Sequence, residues 1–317
     1  MSPIRFAFLG AALIACILGS APPARAAGHP PEAVCAVPPP TAPIYADVRQ
    51  QIAGTPYGPI AYYRFGHGSP ILLVTGYRAD VAEWSAAFLS ELAKQHEVIV
   101  FDNRGVGRSI PQADSFTVED MAQDTAALID VLKLRRPVVV GWSMGGAIVQ
   151  QLAIDDGYLI GKMVLLSTLA PGKTGVPVPP NAQATLSGAP GVTFDDAMTA
   201  LFPPAAVTGA ERCFRKEMYR PDGYRPGPIP SAVSAGQAAL LTAWYGDEAA
   251  ATSLKALHVP TLILSGSADD IVSPRNAQAL GHLLAGSRVV MIGGGGHAMM
   301  YQYPATLARE ISRFAGS

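Results

Sequence analysis

Gly141-Trp142-Ser143-Met144-Gly145-Gly146 is the stretch that decides how this chain folds. It follows an apolar run at residues 137–140 and opens a segment of helical pattern, so it reads as strand, sharp turn and helix with a serine at the turn. A G-x-S-x-G nucleophile elbow needs that context. The backbone at the serine is strained, and the residues two positions away on either side must lack bulk so that strand and helix pass closely. The helix N-terminus also aims free backbone N–H groups at any oxyanion formed beside the serine. In a chain with 32 glycines the five-residue pattern alone is weak. Its place between a strand and a helix makes it strong.

Working outward, short runs rich in Val, Ile and Leu recur at 60–65, 71–75, 98–101, 138–141, 163–167, 261–265 and 289–292. Their continuous apolarity suits strands buried on both faces, as in a parallel sheet covered by helices. Helical patterns lie between and after them at 82–95, 118–134, 144–155, 274–284 and 304–314, with Thr117 and Asp120 placed as an N-cap pair. Such alternation predicts an α/β fold with a mostly parallel central sheet and right-handed crossovers. Residues 171–250 break the rhythm. They carry many prolines, no convincing strand, and helical patterns near 193–201, 211–219 and 232–244. The simplest reading is a helical cap over the C-terminal edge of the sheet, where open α/β folds bind ligands. The expected organisation is an export leader at 1–26, a Pro/Ala-rich arm at 27–50, core at 51–170 and 251–317, and the cap at 171–250.

A serine hydroxyl is a poor nucleophile unless a base takes its proton and an acid orients the base. Both follow in order. The run at 261–265 leads into Gly266-Ser267-Ala268-Asp269-Asp270, and the last strand-like run leads into Gly293-Gly294-Gly295-Gly296-His297. These loops fall at strand C-terminal ends, on the same edge as Ser143, in the chain order serine, acid, histidine.

With these motifs and Asp102-Asn103-Arg104-Gly105-Val106-Gly107-Arg108-Ser109, the chain resembles the α/β-hydrolase superfamily from about residue 57 to residue 315. The resemblance implies Ser143 as nucleophile, Asp269 as acid and His297 as base. Family spacing places the acid three residues after the glycine, which favours Asp269 over Asp270. Some relatives carry the acid after the preceding strand, where this chain reads Ser167-Thr168-Leu169 without a carboxylate. The oxyanion donors implied are the Met144 N–H and the Tyr77 N–H. Many members carry His-Gly-aromatic before the second donor, whereas this chain has Thr75-Gly76-Tyr77, which alters the bracing of that loop without removing a backbone donor. The implied activity is cofactor-independent hydrolysis of a small carboxylic ester or lactone. Peptidase, thioesterase, carbon–carbon hydrolase and perhydrolase chemistry share the triad, and a non-catalytic ligand-binding protein is the alternative from another class. The serine argues against the dehalogenases and epoxide hydrolases of the superfamily, which place an aspartate there.

Composition narrows the partners. Lys and Arg number 23 against 24 Asp and Glu, a net charge of −1 that gives nucleic-acid binding no support. The mildly basic stretch Arg212, Arg215, Lys216, Arg220 and Arg225 is interleaved with Glu211, Glu217 and Asp222, and reads as a solvated face or an anion-attracting rim. His67, His96, His258 and His282 show no metal-ligand spacing, and the glycine run 293–296 has no dinucleotide-binding context. Asp102 and Arg104 read as organisers of a turn beneath the site. Trp84 and Trp142 read as core or pocket wall. Trp244, Tyr245 and Tyr219 read as cap packing, with pocket lining as the alternative. At the N-terminus, Arg5, the apolar run 6–18 and Ala24-Arg25-Ala26 form an export signal too short to span a membrane, implying a periplasmic or secreted protein. Leu13-Ile14-Ala15-Cys16 is similar to a bacterial lipobox, which would place a lipid anchor at Cys16 instead. Export leaves Cys35 and Cys213 in an oxidising compartment, where they can form one disulfide.

Overall fold

The computed structural model describes Tyr45 and residues 47–224 and 227–316. The chain forms β1 (Gln51–Thr55), β2 (Gly58–Gly66) and β3 (Ser69–Val74), then α1 (Ala86–Ala93), β4 (His96–Phe101) and α2 (Val118–Val131). Next come β5 (Val138–Trp142), α3 (Met144–Asp156) and β6 (Lys162–Leu166). Five helices then follow among the described residues before any further strand. They are α4 (Pro180–Ser187), α5 (Phe194–Leu201), α6 (Pro204–Glu217), α7 (Ser231–Gly246) and α8 (Glu248–Lys255). The chain closes with β7 (Thr261–Gly266), α9 (Arg275–Leu283), β8 (Arg288–Ile292), α10 (Met299–Gln302) and α11 (Pro304–Gly316).

The strands make one sheet in the order β1-β2-β4-β3-β5-β6-β7-β8. The β1–β2 and β2–β4 pairs are antiparallel, and every pair from β4 to β8 is parallel. The apolar runs explain this arrangement. Ile71 to Val74, Val98 to Val100, Val139, Val140 and Met163 to Leu166 are completely buried, because α1 packs with α11 while α2 and α8 pack on α3. Each such aliphatic side chain removed from water contributes about 1.5–3 kcal/mol. α3 is buried on all sides from Met144 to Ala153, as expected of a helix wedged inside a domain. It therefore holds its own N-terminus, and the serine before it, at a fixed depth. Since β3, β5, β7 and β8 run in the same direction, the loops that follow them emerge at one edge.

Three local readings need correction. β1 carries no apolar run, and only Ala53 of its five residues is buried; an edge strand needs little more. The helix expected at 82–95 is broken. A short 3₁₀ turn at Val81–Glu83 gives way to extended Trp84, and Ser85 restarts the helix by accepting the Phe88 N–H (3.3 Å). The cap pattern expected from residue 211 is a helix that starts at Pro204, where proline costs no hydrogen bond in the first turn. α4 and α8 lie outside the helical patterns read from the sequence. The Thr117–Asp120 pair forms a full capping box. Among the described residues no helix is long and apolar enough to cross a membrane. Cys213, on α6, is disulfide-bonded; Cys35, Cys16 and the leader lie outside the described residues.

Candidate active site

Ser143 occupies the turn between β5 and α3 with φ 55° and ψ −123°, a left-handed conformation that costs a non-glycine residue about 1–3 kcal/mol. The glycines around it make the turn possible. A Cβ on Gly141 would collide with Gly145 and Gly146, one on Gly145 with the Val74 and Thr75 carbonyl oxygens, and one on Gly146 with Thr168. Thr168 in turn donates its hydroxyl to the Ser143 carbonyl at 2.5 Å, fixing the turn from β6. Gly145→Ala is expected to cost about 3 kcal/mol, since the obstacles are backbone carbonyls and not side chains that can swing away. Urea unfolding of the variant against the unsubstituted protein measures this.

The later loops bring the other two residues to the serine. His297 Nε2 lies 3.0 Å from Ser143 Oγ, while His297 Nδ1 faces Asp269 at 3.0 Å (Oδ2) and 3.2 Å (Oδ1). The carboxylate contacts assign the ring proton to Nδ1, which leaves Nε2 to accept from the serine hydroxyl. Asp269 Oδ1 also accepts the Ile271 and Val272 N–H groups at 3.0 and 2.8 Å, so the acid is itself held in place. Asp270 is exposed. The acid and histidine loops are tied together by the Ala268 N–H to Gly295 O bond (2.9 Å), and Gln302 accepts the Gly296 N–H at 2.7 Å. Ser143, Asp269 and His297 are 8%, 3% and 2% exposed, which keeps this proton chain out of bulk water.

The two expected oxyanion donors flank the serine. Gly76 packs on it, since a Cβ there would sit 3.2 Å from Ser143 Cβ. Neither the Met144 nor the Tyr77 N–H has a hydrogen-bond partner among the described residues. Asn103 braces the Tyr77 loop: its Nδ2 donates to Thr75 O (3.2 Å) and Thr75 Oγ1 (3.0 Å). From the opposite side, Gln237 of α7 accepts the Arg78 N–H at 2.9 Å. Asn103, Gln237 and Thr168 escaped the sequence reading. Asn103 stands inside a quoted motif and its polarity at a strand end was a usable signal; Gln237 is a lone amide in an apolar helix, and only tertiary structure reveals it. Asn103→Ala is expected to lower kcat about tenfold with a smaller change in KM, because a loosened donor loop weakens the transition state more than substrate binding. Steady-state kinetics on one activated ester separates the two.

Asp102 and Arg104 organise the turn beneath the site. Arg104 forms a buried bidentate pair with Asp124 of α2 at 2.6 and 2.9 Å. Asp102 accepts the Val81 N–H at 2.9 Å, and burial pushes its carboxyl up to about 7. Trp142 is pocket wall: its indole N–H donates to the His297 carbonyl at 3.1 Å. Its other side faces a cavity of about 410 Å³ between the sheet edge and the cap, lined also by Tyr77, Met198, Leu201 and Phe214. Trp84 is core, and Trp244, Tyr219 and Tyr245 do not line that cavity. His96 bridges Ser69 and Ser312 at 3.1 Å, a structural role. A larger cavity of about 660 Å³ is walled by Phe116, Val233 and Gly236; neither cavity is lined by Ser143, Asp269 or His297, and the smaller one adjoins them through Trp142 and Tyr77.

A parallel sheet with an antiparallel start, a serine elbow after its fifth strand and a helical insertion before its seventh defines a class of proteins. The chain belongs to the α/β-hydrolase family: the sequence pattern described as alpha/beta hydrolase fold matches residues 69–304. An AB hydrolase superfamily protein of Bacillus subtilis is 29% identical over 259 residues, covering 80% of this chain and 93% of that protein. Rhodomycin D methylesterase of Streptomyces peucetius is 28% identical over 275 residues, covering 77% and 89%. Among solved structures, a thermophilic esterase from Thermogutta terrifontis superimposes with a TM-score of 0.67 at 26% identity, over 84% of this chain and 98% of that one. An alpha/beta hydrolase fold protein from Chitinophaga pinensis gives 0.74 at 20% identity over 86% and 99%, a likeness of fold.

Proposed function

We propose that the chain is an exported serine hydrolase that cleaves a carboxylic ester or lactone through an acyl-enzyme on Ser143. The observation that carries this reading is the unbroken chain of contacts from Asp269 through His297 to Ser143 Oγ. Similarity to a methylesterase and to a thermophilic esterase supports the ester as the bond attacked. The leader motif at residues 1–26 supports export.

In the proposed cycle His297 Nε2 takes the proton from Ser143 as Oγ attacks the carbonyl carbon, and Asp269 stabilises the resulting imidazolium. The negative charge on the carbonyl oxygen is met by the N–H groups of Met144 and Tyr77, neither of which has a hydrogen-bond partner among the described residues. His297 then gives its proton to the departing alkoxide. Water enters, loses a proton to the same nitrogen and releases the acid, restoring Ser143. No cofactor takes part. The test is a fluorophosphonate probe on the folded, purified protein, followed by a panel of ester, lactone, thioester and aminoacyl substrates. Stoichiometric labelling at Ser143 with turnover of esters or lactones is expected. Absence of labelling in folded protein ends the serine-hydrolase reading.

A further inference from the structure

The cavity against Trp142 carries charge that ester cleavage by itself does not require. Three arginines reach its lining from separate parts of the chain: Arg78 from the loop after β3, Arg215 from α6, and Arg220 from the segment after α6. Glu83 is the one acidic residue among those lining it. None of the three guanidinium groups forms a salt bridge among the described residues. Arg78 donates from one terminal nitrogen to the Leu186 carbonyl at 3.0 Å, yet its Nε is buried with no hydrogen-bond partner. Arg215 lies over the Phe194 ring, 4.2 Å from its centroid, a contact that orients the guanidinium without neutralising it. Among the described residues Arg220 hydrogen-bonds only to the Met218 sulfur, at 3.9 Å. Its charge is felt by the buried carboxyl of Asp80, but the two form no ion pair.

The placement is selective. Arg212 and Lys216 lie on the same α6 and are exposed, but they do not line the cavity. The chain as a whole has a net charge of −1, so the positive character is local. Glu83 offsets it only in part, because burial, with help from Asp80, raises its carboxyl to about 7. A guanidinium is charged at every working pH and offers planar pairs of donors suited to a carboxylate. Leaving one with a buried, unused donor in a cavity that Trp142 and Tyr77 also line is costly unless a ligand completes it.

We propose that the substrate is an ester or lactone bearing a second, anionic group, a carboxylate, and that Arg78 binds this group while Arg215 and Arg220 draw it in at the rim. Arg78 directly follows Tyr77, the second oxyanion donor in the mechanism above, so the carboxylate sits a short spacer away from the scissile carbonyl. The inference rests on the serine-hydrolase reading of the same site.

Two matched pairs of substrates test it. The first pair puts the charge on the acyl side: the glutarate mono-4-nitrophenyl ester against its methyl-capped, neutral form. The second puts it on the leaving group: 4-acetoxybenzoate against methyl 4-acetoxybenzoate. With rates divided by spontaneous hydrolysis, the charged member of one pair is expected to lead in kcat/KM by about tenfold, the value of one charge-assisted hydrogen bond. Arg78→Gln is expected to lower that charged-to-neutral ratio about tenfold, and the exposed pair Arg215→Gln with Arg220→Gln to lower it and weaken its dependence on salt. The exposed double variant reports even where Arg78→Gln disturbs its loop. Preference for the neutral member in both pairs overturns the inference, as does a ratio unmoved in both variants. If that occurs while Ser143 is still labelled by a fluorophosphonate, the hydrolase reading stands without it; an unlabelled protein removes both.

Discussion

Ser143→Ala is expected to lower kcat by roughly 10⁴–10⁶-fold while the protein stays folded. The substitution deletes one oxygen atom. That oxygen makes a single hydrogen bond, to His297, so the fold loses little. The backbone carries the other constraints on the turn: the Ser143 N–H donates to Leu166 O at 3.0 Å, and its carbonyl accepts from Thr168. Alanine keeps both. Chemistry loses the only atom at the turn able to bond covalently to an acyl carbon, so the change falls on kcat and leaves KM nearly unmoved. Residual turnover comes from the oxyanion donors and the bound geometry alone. A stopped assay with unchanged melting temperature is the outcome sought; near-full activity would place the nucleophile elsewhere.

The second large effect separates two adjacent carboxylates. Asp269→Asn is expected to reduce kcat about 10⁴-fold, close to 5 kcal/mol of barrier, and Asp270→Asn to change it less than about twofold. The asymmetry follows from what each residue touches. Asp269 accepts hydrogen bonds from His297 Nδ1–H and from two backbone N–H groups. An asparagine there can still accept from the backbone but presents an NH₂ to the ring, which drives the histidine proton to Nε2 and removes the base. Asp270 is exposed and takes no part in that chain. Equal losses in both variants, or loss only at Asp270, would show that the acid is misassigned.

Much of this site is legible before folding because its parts obey local rules. The run before Gly141 has no polar residue to interrupt a buried strand, and a serine between small residues at its end has few structural uses. Asp269 and His297 follow apolar runs in the same way, so a parallel sheet necessarily delivers them to one edge. β1 was illegible for the opposite reason: an edge strand with one buried residue leaves no periodic mark. The break at Trp84 and Ser85 was hidden by apolar residues that fit either a continuous helix or two pieces; the capping bond to Phe88 decides it. α4 is short and half-polar, and its proline start looks like a loop in a proline-rich stretch. Arg215 and Arg220 stood in a basic stretch that reads as a solvated face or an anion-attracting rim, whereas Asn103, Gln237 and Arg78 act through contacts between residues far apart in the chain. No local pattern encodes such meetings.

The bond from the Arg78 N–H to Gln237 has a consequence for anyone re-engineering this protein. Arg78 is the next residue after the Tyr77 donor, and Gln237 belongs to α7, a helix of the insertion. Exchanging the insertion for one from another family member, a natural way to seek new substrates, would also take away the acceptor that pins this loop. A chimera that keeps a glutamine at the position of 237 isolates the change in selectivity; one that drops it alters rate and selectivity together.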